Sequence, residues 1–164
     1  NLLLAQMTRL EQQVKKRSEN AAHLTKLFNE IPGIIPAKLY EGTTNSAYHL
    51  YMFRYDKTKF QDLSRERFIK ALSAEGVPCS SGYGQMNSSA YVQGLAGNKH
   101  YLKIYGKKGM QEWLERIQCP QNDTLTGEES VWFTQTTLLG SRSDMEKIAE
   151  AVRRIQKYAK GLKK

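Results

Sequence analysis

The stretch Ser80-Ser81-Gly82-Tyr83-Gly84-Gln85-Met86-Asn87 carries the side chains best suited to meeting a ligand. Glycines at 82 and 84 permit backbone angles closed to other residues, and Tyr83 between them would project its phenol outward. An ordinary turn with a packed tyrosine would read the same way, and the residues leave both readings open. No nucleophile with an adjacent base, no metal-ligand spacing and no phosphate loop stands out in the chain. Its two cysteines, Cys79 and Cys119, make no disulfide framework, suit a reducing cytoplasm and have the character of small buried hydrophobes.

The segments that would hold this loop are organised around Ala47–Asp56, AYHLYMFRYD. Its aromatic density predicts a strand with His49, Tyr51, Phe53 and Tyr55 on one face and Tyr48, Leu50, Met52 and Arg54 on the other. Both faces are largely apolar near the middle, which predicts an interior strand covered on two sides. Residues 1 to about 30 read as one long amphipathic helix. Leu3, Met7, Leu10, Val14, Arg17, Ala21, Leu24 and Phe28 step along it by four and three. Pro32-Gly33 stops that helix, Ile34-Ile35 follows as a short edge strand, and Glu41–Asn45 forms a loop.

Ser64 is the N-cap of a helix reaching about Glu75, with Phe68, Ile69, Ala71 and Leu72 on its core face and Gly76 as its stop. Val77-Pro78-Cys79 reads as a short strand. Residues 88 to 118 read as short helical pieces interrupted at Gly94, Gly97, Gly106 and Gly109. Cys119-Pro120 is a boundary, Asn122-Asp123 a turn, and Ser130–Leu139 a second buried strand. Ser143 with Glu146 forms a capping box for a last helix buried through Met145, Ile148, Ala149, Val152, Ile155 and Ala159. The sum is an α+β domain, a mixed or antiparallel sheet covered by helices.

At 164 residues the chain suits one domain, given about 100–200 residues per domain. Its 40% hydrophobic and 25% charged residues are globular values that argue against disorder. A formal charge of +9 raises nucleic acid or an anionic membrane as partners, but the cations are dispersed as on solvated helix faces. Arg153, Arg154, Lys157, Lys160, Lys163 and Lys164 do crowd together, where a helix dipole favours cations. No apolar run reaches membrane length and no signal peptide is present. Asn1 opens directly into helical periodicity with no Met, as a chain entered midway would.

Four stretches together resemble the C-terminal part of the DegT/DnrJ/StrS-type sugar aminotransferases, fold type I pyridoxal-phosphate enzymes. Ala5–Glu11 with Arg17 is similar to that family's interdomain helix, and Tyr48-His49-Leu50-Tyr51 to its Y-H-L-Y/F strand. Gly76 through Tyr91 resembles its substrate loop, and Leu138-Leu139-Gly140 with Asp144–Ile155 its closing strand and helix. Tyr83 and Tyr91 match the loop pattern. Gly82 and Asn87 stand where many members have histidine.

The resemblance implies a C-terminal small domain over 1–164, with 1–30 as interdomain helix and 31–164 as α+β body. It implies a fragment whose N-terminal cofactor domain, bearing the Schiff-base lysine, precedes it in the same chain. Lys99, Lys103, Lys107 and Lys108 lack the setting of that lysine and read as surface residues. The parent would hold pyridoxal phosphate and move an amino group from a donor such as glutamate to a keto-sugar or related carbonyl. Gly82, Tyr83, Asn87 and Tyr91 would contact that substrate, and His49, whose alternative is a hydrogen-bonded strand histidine, would orient a loop. This piece alone would hold no catalytic residue, bind no cofactor and be inactive. A cytoplasmic homodimer without nucleic-acid or membrane partners is implied. Two other functions fit the composition: a basic module stacking nucleic acid on strand tyrosines, and a non-catalytic dimerisation domain using the exposed stripe of the first helix.

Overall fold

The computed structural model of the chain describes residues 2–163. These fall into two compact units, one running up to Ser81 and resuming at Glu129, the other spanning Gly82–Glu128.

In the first unit, helix α1 (Leu2–Met7) and helix α2 (Leu10–Asn29) replace the single helix expected over 1–30. The break falls at Thr8-Arg9. There the Thr8 hydroxyl donates to the Ala5 carbonyl at 2.8 Å, a local bond that competes with helical pairing. Burial starts only at Arg17 and continues through Asn20, Ala21, Leu24 and Phe28. The earlier part of the stripe is open: Leu3 is 74% exposed, and Leu4, Met7 and Leu10 are also exposed. Helix α2 ends before Pro32, and Gly33 turns the chain with φ +91. A Cβ on Gly33 would lie 2.6 Å from the Lys59 Cβ, so this position is closed to side chains.

Four strands form an antiparallel sheet in the order β1-β2-β4-β3: β1 (Ile34–Pro36), β2 (Leu50–Tyr55), β3 (Ser80–Ser81) and β4 (Ser130–Thr134). Tyr51 pairs with Phe133 and Met52 with Trp132 across the β2–β4 ladder. Both edges are very short strands, which limits the unpaired backbone they present. The strand expected at Val77-Pro78-Cys79 lies instead at Ser80-Ser81, beyond the proline that cannot donate to a ladder. Strand β4 stops at Thr134 rather than Leu139. A 3₁₀ turn, Thr137–Leu139, follows, and Asn20 of α2 donates to the carbonyls of Leu138 and Gly140 at 2.8 and 2.9 Å.

Helix α3 (Arg65–Ala74) begins at Ser64, whose side chain accepts from the Arg67 amide as expected. It closes with Gly76 N–H on the Ser73 carbonyl and Val77 N–H on the Leu72 carbonyl, the two bonds of a Schellman motif. Helix α7 (Arg142–Tyr158) is capped two residues earlier than expected, by Ser141 with Asp144 in the box rather than Ser143 with Glu146. Glu146 instead meets His23 at 3.3 Å. The Ser141 hydroxyl, the Ser141 amide and Lys147 hold the Asp144 carboxyl down to about 2. The face of α7 is buried at all six expected positions.

Helix α7 contacts α2 and α3, and one sheet face meets this helical layer through Tyr51, Phe53 and Tyr55, all buried. Phe53 lies 5.2 Å from Phe28 and 5.4 Å from Phe133 between ring centroids, and Tyr55 stacks on Phe68 at 4.3 Å. The other face departs from the expected two-sided cover. Met52 is 43% exposed, and Arg54 reaches out to Glu129 at 2.6 Å. An antiparallel sheet can leave one face in solvent, and its apolar residues do not by themselves say what covers it. His49 precedes the strand and is exposed, off the buried face assigned to it. Among the described residues no helix is long and apolar enough to cross a membrane.

The second unit is helical. Helix α4 (Ala90–Gly94) is capped by Ser89, and helix α5 (Lys99–Arg116) by the Asn98 side chain accepting from the His100 amide at 2.9 Å. Gly106 kinks α5 with φ 69 and ψ 168, whereas Gly109 continues the helix. Helix α6 (Pro120–Thr124) opens on proline, so the residues expected as a turn, Asn122-Asp123, are helical.

Candidate functional site

The candidate loop leads from strand β3 into helix α4. Gly82 and Gly84 are absent from the positive-φ backbone of the described residues, so the unusual angles expected of them are not used. A Cβ on Gly84 would meet nothing within 4 Å. Tyr83 does project outward, 71% exposed, and Tyr91 on α4 is 78% exposed.

Asn87 differs from these tyrosines by being fixed. Its side-chain amide donates to the Asp123 Oδ1 at 3.4 Å, and its backbone carbonyl accepts from Gln93 Nε2 at 2.7 Å. Gln85 donates to the Asp123 carbonyl at 3.0 Å, and Ser88 donates to Gln85 Oε1 at 2.9 Å. Helix α6 thus clamps the loop through one residue, Asp123, by both its side chain and its backbone. Two exposed phenols on either side of an anchored amide in the sequence suit recognition of a hydroxyl- or carbonyl-bearing molecule by hydrogen bonds. Gln85, Gln93 and Asp123 escape sequence reading because they are joined across up to 38 residues.

A cavity of about 360 Å³ lies in the same unit, lined by Leu95, Tyr101, Tyr105, Met110, Trp113 and Arg116 among others. Tyr101 and Tyr105 stack at 6.4 Å. Of the predicted site residues, Gly82, Tyr83, Asn87 and Tyr91 share one ten-residue stretch of this unit, while His49 belongs to the first unit. The His49 carbonyl accepts from the Gln135 amide at 3.1 Å, and its imidazole makes no hydrogen bond among the described residues. A hydrogen-bonded strand histidine is therefore not what the structure contains.

Burial pushes the half-buried Cys79 thiol up to about 11, and Cys119 is exposed on the surface. Among the described residues no group of three or more potential ligands is placed to hold a metal ion. Every described lysine except the half-buried Lys16 is exposed. Pyridoxal phosphate needs a lysine, a carboxylate for its ring nitrogen and a phosphate cradle converging on one cavity. The described residues do not by themselves fit that group.

A model of the DegT/DnrJ/EryC1/StrS aminotransferase family matches residues 1–131. An L-glutamine:2-deoxy-scyllo-inosose aminotransferase from Streptoalloteichus tenebrarius is 28% identical over 158 residues, 96% of this chain and 36% of the relative. Its namesake from Streptomyces fradiae is 26% identical over 162 residues, 98% and 37% of the two chains. Among solved structures, 3-amino-5-hydroxybenzoic acid synthase superposes with a TM-score of 0.71 at 21% identity, covering 93% of this chain and 36% of that one. An aminotransferase from Streptoalloteichus hindustanus gives 0.60 at 20% identity, with 92% and 34% covered. The chain therefore spans little more than a third of the length of these relatives.

Proposed function

The chain belongs to the DegT/DnrJ/EryC1/StrS aminotransferase family, and we propose that it forms the small C-terminal domain of a sugar or aminocyclitol aminotransferase and supplies one wall of its substrate pocket. Pyridoxal phosphate, held by a preceding domain of the same protein, would supply the electron sink for amino transfer. The residues of this chain bind and orient the carbonyl substrate. Tyr83 and Tyr91 offer phenols to its hydroxyls, and Asn87, held by Asp123 and Gln93, offers a fixed polar contact. The observation that carries this reading is the loop itself: two exposed phenols flank an amide clamped from another helix. Relatives named for glutamine and an inosose support an amide or amino-acid donor and a polyhydroxylated ketone acceptor.

The first helices support the interdomain role. Leu3, Leu4, Met7 and Leu10 stand exposed in one stretch. Further along α2, Arg17 is buried, and among the described residues neither its Nε nor the buried Ser18 hydroxyl has a hydrogen-bond partner. The exposed apolar stretch before it is what suits this region to lie against further protein, a cofactor domain or a second subunit. Nucleic-acid stacking on the strand is disfavoured, because Tyr51 and Tyr55 are buried.

The test is steady-state kinetics of the full-length enzyme carrying Asn87→Ala or Tyr91→Ala. Each change should raise KM for the carbonyl substrate about tenfold, the effect of losing one to two kcal/mol of binding, and leave KM for the amino donor within about twofold. Unchanged KM values for both substrates would remove the loop from the pocket.

A further inference from the structure

A groove of about 560 Å³ lies in the first unit between helix α2 and the chain that leads into strand β2. Its size is that of a small-molecule site. Thr25, Lys26 and Asn29 line it from α2, and Lys38, Tyr48 and Tyr51 from the segment opposite. No aspartate or glutamate is among the lining residues, and neither lysine has a carboxylate partner among the described residues. The groove therefore carries two un-neutralised ammonium groups, the arrangement that favours an anion.

Its floor is aromatic and its donors are fixed. The rings of Tyr48 and Tyr51 stack at 6.5 Å and 28°. The Tyr51 phenol and the Thr25 hydroxyl hydrogen-bond each other at 2.8 Å, and burial raises the phenol's pKa so that it keeps its proton. Beside them the Asn29 side-chain amide has no hydrogen-bond partner among the described residues. The backbone is strained at the same place: Tyr48 has φ 45, left-handed for a bulky aromatic, with its amide donating to the Ser46 hydroxyl at 3.3 Å. Packing alone would be served there by glycine or asparagine, and strain of this kind gathers at ligand-binding positions.

We propose that this groove binds a small phosphorylated carbohydrate. The phosphate lies against Lys26 and Lys38, a sugar face lies on the Tyr48 ring, and Asn29 with the Thr25–Tyr51 pair bonds the hydroxyls. The site is separate from the loop of the second unit and does not depend on the aminotransferase reading.

The experiment is calorimetric titration of the 164-residue chain at low ionic strength with glucose 6-phosphate, glucose, inorganic phosphate and AMP. Glucose 6-phosphate should bind about tenfold more tightly than each of the other three, and more weakly as salt is raised to about 0.15 M. The double variant Lys26→Gln, Lys38→Gln alters two exposed side chains and should cost about tenfold in affinity. Tyr48→Asn, which tolerates the left-handed backbone but lacks the ring, should weaken binding by a similar factor. Four results overturn the proposal: no binding at millimolar glucose 6-phosphate, inorganic phosphate binding as tightly, AMP binding as tightly, or the lysine double variant binding as the native chain does.

Discussion

Most aromatic rings of the first unit pack inward, whereas the tyrosines of the second lie outward. In the first, Phe28, Tyr51, Phe53, Tyr55, Phe68 and Phe133 are buried and in mutual ring contact, and the phenol of Tyr55 is consumed internally by the Leu63 carbonyl at 2.9 Å. In the second, Tyr83, Tyr91, Tyr101 and Tyr105 are exposed, and Met110 is the buried apolar residue. Rings facing one another stabilise a fold, whereas rings facing solvent are available to a ligand. The contrast assigns the packed rings of the first unit to the scaffold and leaves the exposed tyrosines of the second available to the carbonyl substrate.

Substitutions sharpen the contrast in order of size. Phe133→Ala should cost about 3–5 kcal/mol, since the ring is fully buried among Phe28, Tyr51 and Phe53. Denaturant melts read this directly, and a loss below about 1 kcal/mol would contradict the packing. Gly33→Ala should cost about 2–4 kcal/mol, combining a left-handed backbone with a Cβ driven onto Lys59. Gly106→Ala, also at positive φ but with open space around the added carbon, should cost only about 1–2 kcal/mol. Equal effects of the two glycine changes would show that the contact with Lys59 does not matter.

Ser64→Ala should remove about 1 kcal/mol by deleting the cap of α3. Tyr91→Ala should leave stability within about 0.5 kcal/mol, because the side chain is exposed. Its effect belongs in substrate binding. The pH dependence has a defined sign. Asp144 is held below its ordinary value in the folded chain, so the stabilisation from its cap is present above about pH 4 and is lost as pH falls toward about 2. Ser141→Ala should flatten that part of the acid limb in a pH series of melts.

Local chemistry made part of this fold readable. Ser64, Gly76 and the apolar face of α7 act through neighbours within a few residues, and each stands where the pattern placed it. The edge strand at Ile34 follows from Pro32-Gly33 in the same way. Features that depend on distant partners were not readable. The apolar mix of Leu50 and Met52 gave no sign that this sheet face stays open. The stripe from Leu3 to Leu10 showed an apolar face but not what lies against it. The capping box had two overlapping solutions two residues apart, and tertiary packing chose Ser141, leaving Glu146 for His23. In the candidate site the exposure of Tyr83 was legible from its glycine neighbours. The role of Asp123 was not, because it depends on α6 returning to a loop some 36 residues earlier.

The most direct test of the division between scaffold and recognition is amide hydrogen exchange of the full-length enzyme with and without its carbonyl substrate. Slowed exchange confined, within this chain, to Gly82–Tyr91 is the predicted result. Protection appearing in strands β2 and β4 while Gly82–Tyr91 exchanges unchanged would contradict it.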